Sequence, residues 1–266
     1  VFFSDIANFT SIVEGLPAER SLLLLSRYFH DMSKIMDEYG GIVIEFIGDA
    51  ILGIYGAPVA NEEHPTAALK SALRMIDQLY SINKWLKERN LPPIAIRCGL
   101  HTGMALVGNM GFHSRMKYGI VGEEADIPSR LEEMNKTYST KLLISQAMHD
   151  RLVPDSFVSR PIDWVVYEAI SDRPQLVYEV LERNKFHRAT EQRNQACMLH
   201  AKALELYRQR DFLEAAKKFE EVHVMMEQLR GVDDVPSALL MKRCRSYMDN
   251  PPPSDWEGVW DRGEVL

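Results

Sequence analysis

The chain has few cysteines, no long apolar run and no excess of positive charge. Its three cysteines, Cys98, Cys197 and Cys244, lie far apart without CxxC spacing, which argues against a disulfide framework and against a zinc site. No apolar run is long enough for a transmembrane helix, and no signal peptide is recognisable. The formal net charge of −7 argues against nucleic acid as a partner. We therefore expect a protein of a reducing, cytoplasmic compartment.

The composition is that of an ordinary globular protein. The 266 residues are 46% hydrophobic and 26% charged, and a chain of this size can bury a full core. The sequence opens at Val1 inside an apolar, strand-like run and without a methionine. We expect it to be an intracellular part of a longer protein, whose other segments could include a membrane anchor.

Helix and strand patterns alternate in the first two thirds of the chain. Apolar side chains recur at three- and four-residue spacing in residues 20–39 and 62–89, which predicts two amphipathic helices. Residues 42–55 are predicted to form a hairpin whose turn is Gly48-Asp49, and residues 94–101 alternate as a strand. Such alternation of helices and strands around a hairpin predicts an α/β or α+β sandwich.

The pattern changes after about residue 183, where the strand signals stop. Residues 192–229 are predicted to be helical with a turn at Arg210-Asp211, and resemble one tetratricopeptide-like helix pair through core spacings at Ala203, Tyr207, Phe212, Ala215 and Phe219. A single such unit cannot bury its own apolar face, so it should dock on the first domain, on a protein partner or on further repeats. We expect two domains, residues 1–183 and 184–266.

The chain closes with a short predicted helix at residues 237–248 and a proline-rich stretch. Trp256 and Trp260 follow the prolines, and we expect them to anchor this stretch on another surface.

Two aspartates occupy similar positions in the pattern. Asp5 and Asp49 each stand where an apolar run breaks into a turn. If their strands are neighbours, two carboxylates face each other beside the free N–H groups of a helix start, which suits Mg²⁺ or Mn²⁺ carrying a polyphosphate. In the alternative interpretation Asp5 is a helix cap and Asp49 a turn residue.

Four segments decide between these interpretations by resemblance. VFFSDIANFT, IVIEFIGDAILGIYG, IRCGLHTGMALVGNMG and MKYGIVGEEADIPSRLEEMNKTY occur in this order and resemble the class III nucleotidyl cyclases, the adenylate and guanylate cyclases. The likeness extends from residue 1 to about residue 181. It implies an α+β fold with a ferredoxin-like βαββαβ sheet covered by helices on one face, followed here by a small all-α extension.

The resemblance also implies an activity and a site. Class III cyclases convert a nucleoside triphosphate to a 3′,5′-cyclic nucleotide and pyrophosphate with two Mg²⁺ or Mn²⁺ ions, at a site built across a dimer. It implies that Asp5, Asp49 and the Ile6 carbonyl bind the metals. It further implies that the phosphates lie on the backbone N–H groups of Ala7, Asn8, Phe9 and Thr10.

The resemblance places Glu45 and Gly119 where relatives read the purine. Guanine presents adjacent N1–H and N2–H₂ donors to a carboxylate, whereas adenine N1 is an acceptor, so Glu45 would favour GTP by about tenfold or more. Gly119 has no side chain to contribute. Alternatively Glu45 is a solvated glutamate on a strand where Val43, Glu45 and Ile47 share one face, and Gly119 is a strand glycine that permits a close approach.

Two positions depart from the family pattern. Arg130 matches the arginine that stabilises the α-phosphate charge, but Asp126 stands where relatives orient the ribose with asparagine. Ala169 stands where relatives hold the terminal phosphates with lysine, for which Lys117 and Lys141 are candidate substitutes. The metal half of the site is therefore intact and the ribose and phosphate half is altered.

Three interpretations follow from this uneven pattern: a weakly active homodimer, the metal-donating half of a heterodimer, or a degenerate cyclase domain kept as a nucleotide-binding or assembly module. A purely structural protein with helical repeats would explain the C-terminal region. It would not explain Asp5 and Asp49.

Overall fold

The computed structural model describes residues 1–167, 171–185 and 188–259. Ala169 and Trp260, to which the sequence analysis gave roles, lie outside the described residues. The strands are β1 Phe2–Ile6, β2 Gly41–Ile47, β3 Ala50–Tyr55, β4 Ile96–Leu100, β5 Leu106–Phe112, β6 Arg115–Val121, β7 Leu142–Ser145, β8 Phe157–Tyr167 and β9 Ser171–Arg183. The helices are α1 Phe9–Glu14, α2 Ala18–Glu38, α3 His64–Lys87, α4 Ile127–Tyr138, α5 Gln146–His149, α6 Arg188–Arg208, α7 Phe212–Arg230 and α8 Val235–Asp249, with a 3₁₀ turn at Glu123–Asp126 before α4.

The main sheet has seven strands in the order β2-β3-β1-β4-β7-β9-β8, and β5 and β6 form a separate hairpin. The first four strands, connected through α2 and α3, give the predicted ferredoxin-like βαββαβ arrangement and confirm the α+β fold. The ends of both long helices differ by one or two residues from their predicted limits, and the predicted apolar stripes face the sheet.

Helices lie on both faces of this sheet. Cys98 and Leu142 belong to the core formed with α2 and α3, whereas Leu143 belongs to a second core formed with α4. Because neighbouring residues of a strand point to opposite faces, α4 covers the face away from α2 and α3. Gly99 permits this approach, since a Cβ there would lie 2.0 Å from the Pro128 carbonyl oxygen. The sequence analysis predicted the first helical layer and not the second.

The C-terminal helices pack against the first region of the chain. The five predicted core positions of α6 and α7 are buried, and Trp164 of β8 and Leu176 of β9 pack against the same cluster. Of the three docking partners expected for this unit, the structure shows the sheet. The resemblance to a tetratricopeptide unit stays a prediction.

The segment after α8 is held by aromatic contacts. The Trp256 ring lies 5.1 Å from that of Tyr207 and 5.3 Å from that of Tyr247, and its indole N–H donates to the Val259 carbonyl at 2.8 Å. The expected anchoring of Trp256 is thus confirmed. None of the helices within the described ranges combines the length and the apolar character needed to cross a membrane.

Candidate active site

Asp5 and Asp49 lie together at the ends of their strands. Asp5 is the fourth residue of β1, and Asp49 stands in the two-residue turn between β2 and β3, which Gly48 makes possible with a φ of +65°. The Ile6 amide is directed at both carboxylates, with N–O distances of 3.0 Å to Asp5 Oδ1 and 3.3 Å to Asp49 Oδ2. The alternative role of Asp5 as a helix cap is wrong, because Asn8 occupies the N-cap of α1.

The two carboxylates repel each other in the chain alone. Burial and the neighbouring Asp5 raise the pKa of Asp49 to about 7. A divalent cation between the carboxylates would relieve this repulsion, so the charges fit Mg²⁺ or Mn²⁺. In the part of the chain that the structure describes, no three His, Cys, Asp or Glu side chains are grouped as metal ligands. The two carboxylates themselves suit Mg²⁺, whose sites often use one or two carboxylates together with substrate phosphates.

Arg97 lies directly opposite Asp5 on β4, but among the described residues it forms no ion pair with Asp5 or Asp49. Its guanidinium faces Glu132 of α4, with an N–O distance of 3.7 Å. Burial and the charge of Asp5 raise the pKa of Glu132. The surroundings of Asp5 therefore remain acidic.

The segment expected to bind phosphates is shorter than the sequence analysis predicted. The Ala7 amide donates to the Ala95 carbonyl at 2.8 Å, so it continues the strand pairing and does not face a ligand. Asn8 is left-handed, with φ of +58°, and turns the chain into α1. Of the four amides, those of Asn8, Phe9 and Thr10 stay candidates, at the start of a helix only six residues long.

Glu45 lies on the same face of the sheet as Asp5. A β-bulge follows Val43, so that Val43 pairs with Gly53 while Glu45 pairs with the adjacent Leu52. Val43 packs in the core under α2, and the Phe46 ring is 4.2 Å from Phe29 of that helix. The prediction that Val43 and Glu45 share a face is wrong, because the bulge inserts one residue and breaks the alternation.

Lys117 is the partner of Glu45. Its Nζ lies 2.5 Å from Glu45 Oε2, and both side chains are about half exposed. The sequence analysis considered Lys117 as a substitute for a phosphate-binding lysine, but β6 brings it to Glu45, two residues before Gly119. For Lys141, which directly precedes β7, no side-chain contact with Asp5 or Asp49 is found among the described residues.

Gly119 is a buried strand glycine beside Met110. A Cβ at this position would lie 3.2 Å from the Met110 sulfur. A side chain at this position would therefore require the Met110 side chain to shift by a few tenths of an ångström.

Asp126 and Arg130 lie at the N-terminal end of α4, and both are exposed. Asp126 is the N-cap residue without a side-chain cap bond, and Pro128 stands in the first turn. Within the described residues, neither side chain forms a hydrogen bond or an ion pair. No contact of either side chain with Asp5 or Asp49 is found among the described residues of one chain.

His101 anchors the turn before α4. Its Nε2 lies 2.9 Å from Glu124 Oε2, and its Nδ1 lies 2.8 Å from Ser145 Oγ. Burial lowers the pKa of His101, against the effect of Glu124. The sequence offered no spacing signal for these contacts, which join the end of β4, the 3₁₀ turn and the end of β7.

Comparison with known proteins agrees with this geometry. The family model described as "Adenylate and Guanylate cyclase catalytic domain" matches residues 1–170. Adenylate cyclase 1 of Rhizobium meliloti is 38% identical over 146 residues, which are 55% of this chain and 22% of that protein. Adenylate cyclase of Anabaena cylindrica is 31% identical over 188 residues, 68% of this chain and 36% of that protein.

Solved structures of cyclase domains superpose on the chain. The adenylyl cyclase CyaB from P. aeruginosa has a TM-score of 0.61 at 29% identity, covering 70% of this chain and 95% of that one. The guanylyl cyclase Cya2 has a TM-score of 0.62 at 29% identity, covering 70% and 93%. The chain belongs to the adenylate and guanylate cyclase catalytic domain family. It spans well under half the length of the two curated relatives.

Proposed function

We propose that this chain is a nucleotide cyclase that converts GTP, in preference to ATP, to the 3′,5′-cyclic nucleotide and pyrophosphate. The observation that carries the proposal is the convergence of Asp5 and Asp49 on the Ile6 amide, with an acidic excess that the chain itself does not balance. Two Mg²⁺ or Mn²⁺ ions held there would activate the 3′ oxygen and stabilise charge on the phosphates. Asp5, Asp49 and the Ile6 carbonyl would hold the ions and set their position.

The second half of the site would come from another cyclase domain. The β5–β6 hairpin exposes large apolar side chains on both faces, namely those of Leu106, Val107, Phe112, Met116 and Val121. At the tip of β2, the side chains of Phe46 and Ile47 are about half exposed. An isolated hairpin is marginally stable in water, so such a surface favours a partner. In a homodimer, the Arg130 guanidinium of one chain would face the phosphates held by the other.

Base selection would depend on the pair Glu45 and Lys117. The carboxylate accepts from guanine N1–H and N2–H₂, and the ammonium donates to O6, so guanine uses three contacts. Adenine uses two, from N6–H₂ to Glu45 and from Lys117 to N1. The difference of one hydrogen bond corresponds to roughly a tenfold preference for GTP. Lys117 also supplies a donor beside Gly119, which has no side chain.

Turnover is expected to be slow. Asp126 would place an anion where a neutral donor is needed beside the ribose, and it accepts hydrogen bonds but does not donate them. This same feature favours a second candidate, in which the chain supplies Asp5 and Asp49 to a heterodimer whose partner provides the ribose and phosphate contacts.

The test is a cyclase assay on the purified chain with GTP and with ATP in Mn²⁺, together with light-scattering mass measurement. We expect slow formation of the cyclic nucleotide from a dimer, faster with GTP. Glu45→Gln should reduce the GTP preference, whereas Glu214→Gln should not, although Glu214 forms a similar exposed pair with Lys217 at 2.6 Å. No product from a metal- and nucleotide-bound dimer would reject the homodimeric enzyme. Activity regained only on mixing with an active cyclase domain would support the heterodimer.

A further inference from the structure

Helix α8 is joined to the sheet by a fully buried arginine of β8. The Arg160 Nη1 atom donates to Asp234, the N-cap residue of α8, at 2.8 Å, and its Nε donates to Glu179 of β9 at the same distance. All three residues are less than 3% exposed. Buried charges tolerate little displacement of their partners, so the start of α8 has one position on the sheet.

A second buried cluster joins the middle of α8 to the end of α4. Arg243 of α8 donates from Nη1 to Asp163 Oδ2 of β8 at 2.9 Å and from Nη2 to the Tyr138 hydroxyl at 3.3 Å. The Tyr138 hydroxyl in turn donates to the same Asp163 oxygen. Tyr138, Asp163 and Arg243 are 2–3% exposed. Three elements thus meet through one polar cluster.

Tyr138 is the last residue of the helix that begins beside Asp126 and bears Arg130. A helix of 12 residues is about 18 Å long and moves largely as one body. At its other end, His101 fixes the turn before α4 through Glu124. The orientation of α4 is therefore set from two ends, and one of these ends belongs to the C-terminal helices.

We propose that Arg243 is a positioning residue, through which the C-terminal helices set α4 and thereby the placement of Arg130. The proposal rests on the proposed cyclase function for its effect on turnover. The family model ends at residue 170, so the contact from α8 lies outside the part of the chain that the family accounts for. Its consequence would be a cyclase whose rate responds to whatever moves the C-terminal helices.

The chemistry of the cluster of Tyr138, Asp163 and Arg243 favours a role in positioning α4 over one that only attaches α8 to the sheet. Leu239 of α8 already provides apolar contact with the core of α4. A buried ion pair adds little net stability compared with apolar packing, but its directional contacts favour one arrangement. Misplacing a catalytic group by about 1 Å can cost on the order of 100-fold in rate.

Tyr138→Phe is the sharpest variant, because it keeps the ring in the core and leaves Arg243 paired with Asp163. We expect kcat to fall roughly three- to tenfold while KM for GTP stays within about twofold, since Arg130 would act on the transition state. Hydrogen exchange of residues 127–138 should accelerate, with α2 and α3 unchanged. Arg243→Lys keeps the charge but loses the two-pronged contact with Asp163 and Tyr138, and it should give at least as large a change in the same direction.

Arg208→Ala provides the matched control. The Arg208 guanidinium lies 4.1 Å from the Trp164 ring and so joins the C-terminal helices to β8. Among the described residues, no contact of Arg208 with α4 is found. We expect its kcat and the exchange of α4 to match the wild type. An equal loss of kcat in Arg208→Ala would indicate general loosening and would overturn the proposal.

The exchange measurement separates this proposal from the proposed function. Unaltered exchange of residues 127–138 in Tyr138→Phe would overturn the positioning role whether or not the protein turns over. Faster exchange with unchanged kcat would also overturn it. If the wild type forms no cyclic nucleotide, the proposed function fails, and the exchange of α4 alone decides whether Arg243 positions that helix.

Discussion

Two acidic regions of the molecule show opposite electrostatics. At Asp49, burial and Asp5 raise the pKa to about 7. At Asp234, burial opposes ionisation in the same way, but the hydrogen bond and the charge of Arg160 lower the pKa. Each carboxylate around Arg160 is balanced within the chain, whereas the pair at the strand ends is left unbalanced. Unbalanced acids that face an open surface indicate a ligand site, while buried and paired ones stabilise a particular packing.

The largest effect should come from removing the unbalanced pair. Asp5→Ala and Asp49→Ala should each lower Mn²⁺-dependent cyclase activity on the order of 10⁴-fold or more, because stabilisation of phosphate charge by a metal is worth several kcal/mol. Circular dichroism should show an intact fold. Asp37→Ala, at an exposed acid near the end of α2, is the control. Retained Mn²⁺-dependent nucleotide binding in either variant would contradict the metal assignment.

Breaking the balanced region should affect stability instead. Arg160→Met removes the fully buried partner of two buried carboxylates, leaving them the longer contacts to the partly exposed Arg230. It should cost about 3–5 kcal/mol in the free energy of unfolding. Urea denaturation measures this loss. Lys217→Met, which breaks the exposed pair with Glu214, should leave the free energy of unfolding nearly unchanged. If Arg160→Met and Lys217→Met lower the free energy of unfolding equally, the buried cluster around Arg160 does not stabilise the fold as the comparison requires.

A smaller gain in activity is expected at Asp126. Asp126→Asn replaces an anion near the triphosphate with a neutral donor, and we expect kcat to rise about tenfold, equivalent to about 1.4 kcal/mol. Steady-state kinetics with GTP in Mn²⁺ test this. Ser129→Ala, which removes only the hydroxyl bonded to the Asp126 carbonyl, is a local control. An unchanged rate in Asp126→Asn would place this residue away from the ribose.

The smallest effect concerns pH and the metal-free chain. The folded-state pKa of Asp49 is raised from 3.8 to about 7. Because the folded protein binds this proton more tightly than the unfolded chain, protonation of Asp49 adds to the free energy of unfolding. This contribution is fully present below pH 3.8 and is lost progressively as the pH rises to about 7. Asp49→Asn should stabilise the protein by about 1 kcal/mol more at pH 8 than at pH 4, after allowance for solvent screening. Melting curves in a chelator measure this difference, and an equal gain at both pH values would contradict it.

Local patterns in the sequence were sufficient to predict much of the fold and the proximity of Asp5 and Asp49. The stripes of α2 and α3 depend on side-chain spacing alone, and the Gly48-Asp49 turn depends on two residues with few alternative conformations. The pairing of Asp5 with Asp49 followed once β1 and β3 were taken as neighbours. Resemblance extended this to Glu45 and Arg130, whose roles remain predictions.

Other features depend on contacts between distant segments. Strict alternation placed Glu45 beside Val43, but the bulge in β2 reversed this, because an extra residue is accommodated by pairing with β3 and not by local preference. Lys117 meets Glu45 only because β6 folds back toward β2. The local spacing of residues in the sequence does not reveal a contact between two side chains so far apart in the chain.

The helical extension shows most clearly which features follow from local sequence and which depend on contacts between distant segments. Its apolar periodicity was enough to predict α6, α7 and their core, since an amphipathic helix carries its burial pattern in its own sequence. The contact of Arg243 with Tyr138 spans 105 positions of the chain. Local sequence does not distinguish Arg243 from the other charged residues of these helices. Packing on the sheet does, because desolvated charges must find partners within the fold.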